Sequence, residues 1–197
     1  MNDEFSKIYQ QIIDDDMNTA MQQKGYRPLY TASERSKIVV IGQAPGKKAQ
    51  EAMIPWQDAS GDTLRSWLGV SKEQFYNPDI IALLPMDFYY PGKGKHGDLQ
   101  PRKDFADRWH PMLLGNMLEI ELVVLIGSYA QKHYLGKTAK QNLTETVRNF
   151  NEYLPQYFPL VHPSPLNFRW QAKNSWFKVD VIPKLQQRVQ SIIGADS

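Results

Sequence analysis

The sequence contains no cysteine, and this absence excludes several kinds of protein. Disulfide scaffolds, cysteine nucleophiles, thiolate zinc sites and cysteine-held iron–sulfur clusters are all ruled out. No apolar run approaches the roughly 20 residues of a membrane-spanning helix. The N-terminus, MNDEFSKIYQ, is acidic and mixed, unlike a signal peptide. We therefore expect a soluble cytoplasmic protein with no metal, no cofactor and no membrane partner.

Charge of one sign is not in excess either. Of 197 residues, 23 are Lys or Arg and 21 are Asp or Glu, which gives a net charge of +2. This charge balance excludes a disordered chain and a histone-like polycation. It is compatible with nucleic acid as a partner but does not by itself indicate one. Hydrophobic residues make up 42% of the chain, enough for a core. The length suits one domain spanning residues 1–197.

Hydrophobic periodicity indicates strands that alternate with helices. Short apolar runs typical of strands buried on both faces occupy residues 38–41, 80–84, 122–126 and 158–161. Helical spacing is found at 4–22, 62–68, 104–118, 128–135, 144–153 and 174–193, with Pro111 and Pro183 as predicted breaks or bends. The alternation predicts an α/β fold of three layers, α/β/α, around a central, mostly parallel four-stranded sheet.

Turn-rich segments follow the predicted strands at residues 42–46, 85–102, 127–128 and 162–167. In open parallel sheets, ligands bind at the carboxyl ends of the strands. We therefore expect these four segments to converge on one edge of the sheet and to form the functional site there.

The first of these segments is Gly42-Gln43-Ala44-Pro45-Gly46. Such a tight turn exposes backbone N–H groups that can hold an anion or a carbonyl oxygen. It is not a nucleotide-binding P-loop, because its spacing is one residue short and Lys48 stands where Ser or Thr belongs. Taken alone, the turn is typical of an ordinary connection between a strand and a helix.

The last segment, residues 162–167, reads His-Pro-Ser-Pro-Leu-Asn. Its two prolines stiffen the loop and fix the position of His162. Taken alone, this loop is more typical of a rigid turn whose histidine bonds to the backbone.

Taken together, the two motifs resemble the uracil-DNA glycosylase superfamily, with its GQDPY- or GEAPG-type turn and its HPS-type loop. In the GEAPG-type branch, called family 4, a Pro-Phe pair and then a further glycine follow the turn. At the same distances from the turn, this sequence has Pro55, Trp56 and Gly61. The resemblance extends from about Lys37 to Lys178. It implies a monofunctional DNA glycosylase of base-excision repair that flips out a damaged base, uracil or a related deaminated base, and hydrolyses its glycosidic bond.

The resemblance also implies a role for each matching residue. His162 would stabilise the negative charge of the leaving base as a neutral imidazole, and Gln43 would orient the attacking water. Trp56 would stack on the base, and Leu166 would fill the vacated stack. By position alone, these two could equally be a core aromatic and an ordinary loop residue. The base oxygen would be held by backbone N–H groups at Gly42, Gln43 and Ala44.

A basic, glycine-rich loop follows the second predicted strand. Its lysines suit a DNA backbone, although a solvated loop would look the same in sequence. We expect DNA, single- or double-stranded, as the partner of a monomer. The predicted DNA-binding residues are Lys93, Lys95, Ser164, Leu166, Asn167 and Arg169, with His96, Arg102, Lys103 and Lys173 near them.

The first turn departs from the family in its chemistry. Ala44 replaces the aspartate that positions water in the GQDPY turn, and Gln43 replaces the glutamate of GEAPG. A glutamine can orient a water but cannot take its proton. The carboxylates close enough in sequence to substitute are Glu51, Asp58, Asp62 and Asp87.

The asparagine with which the family reads uracil is also replaced. Spacing to Pro85 places Asp79 at that position, whereas strand geometry favours Asp87, with Phe88 beside it in the base pocket. An ionised aspartate only accepts hydrogen bonds, so it would suit an exocyclic amine better than the O4 of uracil.

Two other functions stay open at this level. The missing carboxylates are compatible with a catalytically degenerate glycosylase fold that binds DNA or a free base without cleaving. A third hypothesis is a nucleoside or nucleotide hydrolase for small molecules. The basic loop argues against it, since a free nucleoside needs no backbone contacts.

Overall fold

A four-stranded, all-parallel sheet lies at the centre of the computed structural model, which describes residues 3–95 and 97–194. Its strands are β1 (Ile38–Ile41), β2 (Ile81–Leu83), β5 (Leu122–Ile126) and β6 (Tyr157–Leu160), in the order β2-β1-β5-β6. Val39 lies beside Ala82 on one side and Val123 on the other. Between β2 and β5, a two-residue antiparallel pair is formed by β3 (Lys93–Gly94) and β4 (Gly97–Asp98). The predicted parallel sheet is confirmed.

Helices cover both faces of the sheet. Because alternate strand residues point to opposite faces, Val39 and Ile41 pack into one core cluster and Ile38 and Val40 into the other. The first cluster includes buried residues of α1 (Asp3–Asp14), α2 (Thr19–Gln23), α6 (Phe105–Leu114) and α7 (Gly127–Leu135). The second includes buried residues of α4 (Ala59–Leu68), α5 (Lys72–Tyr76), α8 (Leu143–Arg148) and α10 (Ile182–Ile193). This is the α/β/α arrangement that the sequence predicts.

The predicted helix over residues 4–22 divides into two, and polar side chains explain where. The Asp15 carboxylate accepts from the Met17 N–H at 2.9 Å and so begins a separate 3-10 turn, Asp16–Asn18. The Asn18 amide then donates to the Ile12 carbonyl at 2.6 Å, which satisfies the end of α1. The chain restarts as α2.

The C-terminal helix also differs from the prediction. A π-helical segment, Phe177–Val181, precedes α10, and Pro183 lies in the first turn of α10. The helical run is continuous from 176 to 193, so Pro183 lies within it, two residues after the π-helical segment. The predicted interruption at Pro183 therefore coincides with the change from π-helical to α-helical bonding, where the regular i→i−4 pattern that proline cannot complete is already broken. The predicted helix over 144–153 similarly ends at Arg148 and continues as a 3-10 turn, Phe150–Tyr153.

Three short helices were not predicted: α3 (Lys47–Ala52), α5 and α9 (Phe168–Lys173). Each has five or six residues, too few for a periodic apolar stripe to show. The start of α5 did carry a local signal. Ser71 and Gln74 form a reciprocal capping box there, with bonds of 3.2 and 2.9 Å.

Candidate active-site pocket

A pocket of about 460 Å³ lies at the carboxyl edge of the sheet. It is lined by the turn at 42–46, by Pro55 and Trp56, by Pro85, by Gly97 and Asp98 of β4, and by His162 and Ser164. Three of the four predicted segments therefore meet, as expected for a parallel sheet. Residues 127–128 do not line the pocket but begin α7.

A larger cavity of about 740 Å³ lies at the opposite edge, between α1 and residues 30–35. Three of its polar side chains are paired with one another, since Arg35 and Ser33 both bond the carboxylate of Asp79. This places Asp79, one of the two predicted base-reading residues, at the amino end of β2. We take the smaller pocket as the functional site because it holds both sequence motifs.

The first turn is held by the segment that follows β2. The Gly42 carbonyl accepts from the Met86 N–H at 2.8 Å, and the Gln43 carbonyl accepts from the Asp87 N–H at 3.2 Å. Within the described part of the chain, the N–H groups of Gln43 and Ala44 have no protein acceptor. A ligand in the pocket can therefore receive them.

The side chain of Gln43 has a structural partner. Its Nε2 donates to the Leu99 carbonyl at 3.1 Å, which joins the first turn to the segment after β4. Only its Oε1 is left to accept from a water, so the predicted water-orienting role depends on that oxygen.

Trp56 forms one wall of the pocket in a conformation that its neighbours enforce. Its φ is +56°, in the left-handed region that non-glycine residues rarely adopt. The Tyr76 hydroxyl lies 2.9 Å from the Pro55 carbonyl and 3.3 Å from the Trp56 carbonyl, so it holds this stretch of backbone. The indole lies so close to Gly42 that a Cβ there would be 3.0 Å from Trp56 Cζ2. The ring also packs partly against the second core cluster, so it is both a core-edge residue and a pocket wall.

His162 faces Trp56, with 5.8 Å between ring centroids and 32° between planes. Its Nδ1 accepts from the Ser164 N–H at 3.1 Å, and a neutral imidazole that accepts at Nδ1 carries its proton at Nε2. Burial lowers the pKa of His162, while the negative charge of Asp58 opposes that shift. The ring is therefore neutral at pH 7, with Nε2–H as its only donor.

The rest of the second motif supports His162 and presents one apolar side chain. The Asn167 amide donates to the His162 carbonyl at 2.6 Å, and the Ser164 hydroxyl accepts from the Leu166 N–H at 3.2 Å. These bonds use polar groups that the sequence assigned to DNA binding. Leu166 itself is 86% exposed, and Arg169 is exposed near it on α9.

The basic loop forms the opposite side of the mouth. Lys93 and Lys95 are exposed. The loop then continues into β4, whose two residues, Gly97 and Asp98, line the pocket. The Tyr90 hydroxyl donates to Asp98 Oδ1 at 3.4 Å. His96 lies outside the described residues. Sequence reasoning missed Asp98, because no motif marks it and only its position beyond the basic loop could have drawn attention to it.

The structure corrects the predicted base-binding role of Asp87. The side chain is fully buried and outside the pocket, with Oδ2 accepting from Arg102 Nε at 2.7 Å and Oδ1 from its second guanidinium nitrogen at 2.8 Å. Arg102 is consequently not available for phosphate. Phe88 is also fully buried and stacks on His110 in the first core cluster, so it is a core residue and not a base contact.

One of the four candidate carboxylates lies in the pocket, and it is Asp58. Glu51 pairs with Lys47 at 3.7 Å, and Asp62 pairs with Arg65. Asp58 begins α4, where its Oδ1 accepts from the Gly61 N–H at 2.9 Å.

The fold and the pocket together define a three-layer α/β protein with an aromatic and imidazole site at the carboxyl edge of a parallel sheet. A family model of the uracil DNA glycosylase superfamily matches residues 29–186, a stretch that contains every residue lining the pocket. The chain belongs to this superfamily, whose members are in general DNA glycosylases. Among residues 3–95 and 97–194, no helix has the length and apolar character needed to cross a membrane, and no cluster of side chains is arranged to hold a metal ion.

Proposed function

We propose that this protein is a monofunctional DNA glycosylase, which accepts a flipped-out damaged base in the pocket and hydrolyses its glycosidic bond. One observation carries this proposal: the rings of Trp56 and His162 face each other beside the turn at 42–46, whose N–H groups are free to donate. Uracil and related deaminated bases are planar and carry carbonyl oxygens, which such donors suit.

The donors are placed for the charge that develops during bond cleavage. As the bond between C1′ and the base nitrogen breaks, the sugar becomes positive and the base takes the electron pair. The Nε2–H of His162 and the N–H groups of Gln43 and Ala44 would donate to the base oxygen on which that charge accumulates. Because the imidazole is neutral and half-buried, it needs no proton transfer to act.

The rim of the pocket suits DNA. Lys93 and Lys95 on one side and Arg169 on the other would contact phosphates. Leu166, held out into solvent by its capped 3-10 turn, would occupy the space that the flipped nucleotide leaves. Flipping costs a few kcal/mol, which these contacts have to offset.

A glycosylase assay tests the proposal directly. Single- and double-stranded oligonucleotides would carry uracil, hypoxanthine, xanthine or a thymine mismatch, with chelator present and abasic sites revealed by alkali. We expect excision of at least one base, and a His162→Ala variant slower by about 10²- to 10³-fold in single turnover. His133→Ala, an exposed histidine outside the pocket, is the matched control and should keep the wild-type rate. An unchanged rate in His162→Ala would remove this residue from the mechanism.

The second candidate function is binding without cleavage, and the absence of a carboxylate in the turn at 42–46 favours it. It predicts saturable, salt-sensitive binding of the same oligonucleotides with no abasic product at stoichiometric protein. That outcome would replace the glycosylase proposal.

A further inference from the structure

Hydrolysis of a glycosidic bond requires a water that loses a proton as it attacks, and a carboxylate is the usual acceptor. The turn at 42–46 holds none. Within the described part of the chain, two carboxylates line the pocket, Asp58 and Asp98. Both are exposed, whereas Trp56 and His162 are half-buried. A base stacked on Trp56 with its oxygen toward His162 Nε2 would leave its sugar toward the mouth of the pocket, where exposed carboxylates can reach it.

Asp58 is fixed in a way that leaves one oxygen available. Its Oδ1 accepts from the Gly61 N–H at 2.9 Å as the N-cap of α4, and no described group bonds Oδ2. Asp58 also follows Trp56 by two residues, so the wall that would hold the base and this carboxylate belong to one loop.

Asp98 also lines the pocket but differs in its surroundings. The Tyr90 hydroxyl donates to its Oδ1, and it belongs to β4. Asp58 is therefore the carboxylate that shares a loop with the Trp56 wall and has an oxygen that no described group bonds.

We propose that Asp58 is the catalytic residue that accepts the proton of the attacking water, an inference that rests on the proposed function. The water oxygen forms a bond to C1′ of the deoxyribose while the bond from C1′ to the base nitrogen breaks, and the electron pair leaves with the base. One water proton passes to Asp58 Oδ2. The base departs as an anion bonded to the Nε2–H of His162 and takes up a proton afterwards, and Asp58 returns its own proton to solvent. No oxidant, metal or further reactant is needed.

The test uses Asp58→Asn and Asp58→Ser, because both residues still cap a helix and the fold is retained. We expect single-turnover excision to fall by about 10²- to 10⁴-fold in each variant. Affinity would be measured with an oligonucleotide carrying the excised base on a 2′-fluorinated sugar, which resists cleavage. Binding should be unchanged or tighter, since a negative charge near phosphates is lost. His162 stays neutral in these variants because the charge that raises its pKa is removed.

Two carboxylates serve as matched controls. Asp62→Asn removes a charge from the first turn of the same helix, and Asp98→Asn removes the other charge from the pocket. Asp62→Asn, which lies outside the pocket, should keep the wild-type rate, whereas Asp98→Asn should lose much less than Asp58→Asn. Full activity in Asp58→Asn, a rate loss confined to Asp98→Asn, or a loss of binding that parallels the loss of rate would each overturn the assignment while leaving the proposed function intact. Failure of the wild type to excise any base would overturn both.

Discussion

A Cβ atom on Gly61 would lie 1.8 Å from the carbonyl oxygen of Trp56, so the left-handed tryptophan and this glycine depend on each other. The contact is with backbone and cannot be relieved by rotating a side chain. It explains why a glycine occupies the first turn of α4, where most residues would favour the helix more.

Replacing Gly61 by alanine should therefore displace the Trp56 wall. Alanine gains about 1 kcal/mol in helix propensity, but overpacking costs typically 1–3 kcal/mol, and here it meets backbone. We expect a net loss of stability in urea unfolding and a loss of base excision. Gly194→Ala is the control, because a Cβ there has nothing within 4 Å and Gly194 lies outside the pocket. Equal behaviour of the two variants would show that Trp56 adjusts freely.

The ion pair of Arg102 and Asp87 should be structural and not part of the DNA contact. Arg102 also donates to the Met17 carbonyl at 2.9 Å and to Asn18 Oδ1 at 2.8 Å, which ties the basic loop to the 3-10 turn after α1. Removing one partner leaves a buried charge, so Arg102→Ala should lower the free energy of unfolding by about 3–5 kcal/mol.

The exposed neighbour Lys103 provides the control for this prediction. Lys103→Ala should leave the free energy of unfolding near that of the wild type, within about 0.5 kcal/mol. A stable Arg102→Ala protein with a weaker dependence of DNA affinity on salt would instead identify Arg102 as a phosphate contact.

His110 should make stability depend on pH. Its Nε2 donates to the Pro85 carbonyl at 2.9 Å, its Nδ1 contacts the Tyr134 hydroxyl, and burial lowers its pKa to about 4. The unfolded chain binds a proton at this histidine more readily than the folded protein does. The contribution of the neutral His110 ring to the free energy of unfolding is therefore complete above the ordinary pKa of about 6.5 and is lost as pH falls toward 4. The loss should amount to about 3 kcal/mol.

Urea unfolding of the wild type and of His110→Gln between about pH 7 and about pH 4.5 measures this contribution. The variant should be less stable at neutral pH and should lose less stability on acidification, because carboxylate titration is common to both proteins. Parallel curves would mean that His110 titrates normally.

Lys93 and Lys95 should account for part of the salt dependence of DNA binding. Each lysine that contacts a phosphate of duplex DNA contributes about one unit to the slope of log K against log salt. We expect Lys93→Ala and Lys95→Ala to weaken binding to all sequences alike and to reduce that slope by about one each.

Lys137 offers a matched control for the two lysines. It is exposed and follows the end of α7 that is remote from the carboxyl edge of the sheet. Lys137→Ala should leave the slope unchanged, as measured by fluorescence anisotropy over a range of salt concentrations. A uniform effect of all three substitutions would indicate attraction by net charge without a defined contact.

The sheet and the position of the site were predictable because both depend on local signals. Apolar runs such as 122–126 read directly as buried strands, and parallel topology brings the loops after them to one edge. The amino-acid pattern alone was therefore enough to place the turn at 42–46 beside His162.

The corrections concern contacts between residues far apart in sequence. Asp87 looked available because its partner, Arg102, lies 15 residues away and nothing in the pattern pairs them. In sequence, Phe88 looks the same as a phenylalanine that stacks on a base, yet in the structure it is buried in the core. The left-handed backbone of Trp56 depends on Gly61 and Tyr76, a combination that becomes visible only in three dimensions.

The hydrogen bond from Gln43 Nε2 to the Leu99 carbonyl has a consequence for how a glycosylase of this kind would choose its substrate. It links the turn at 42–46 to the residue that follows the lysine-bearing strand pair. A DNA strand that seats Lys93 and Lys95 incorrectly would also shift the N–H donors under the base. Selectivity would then be shared between the shape of the DNA backbone and the identity of the base, and an undamaged strand could be rejected before any base enters the pocket.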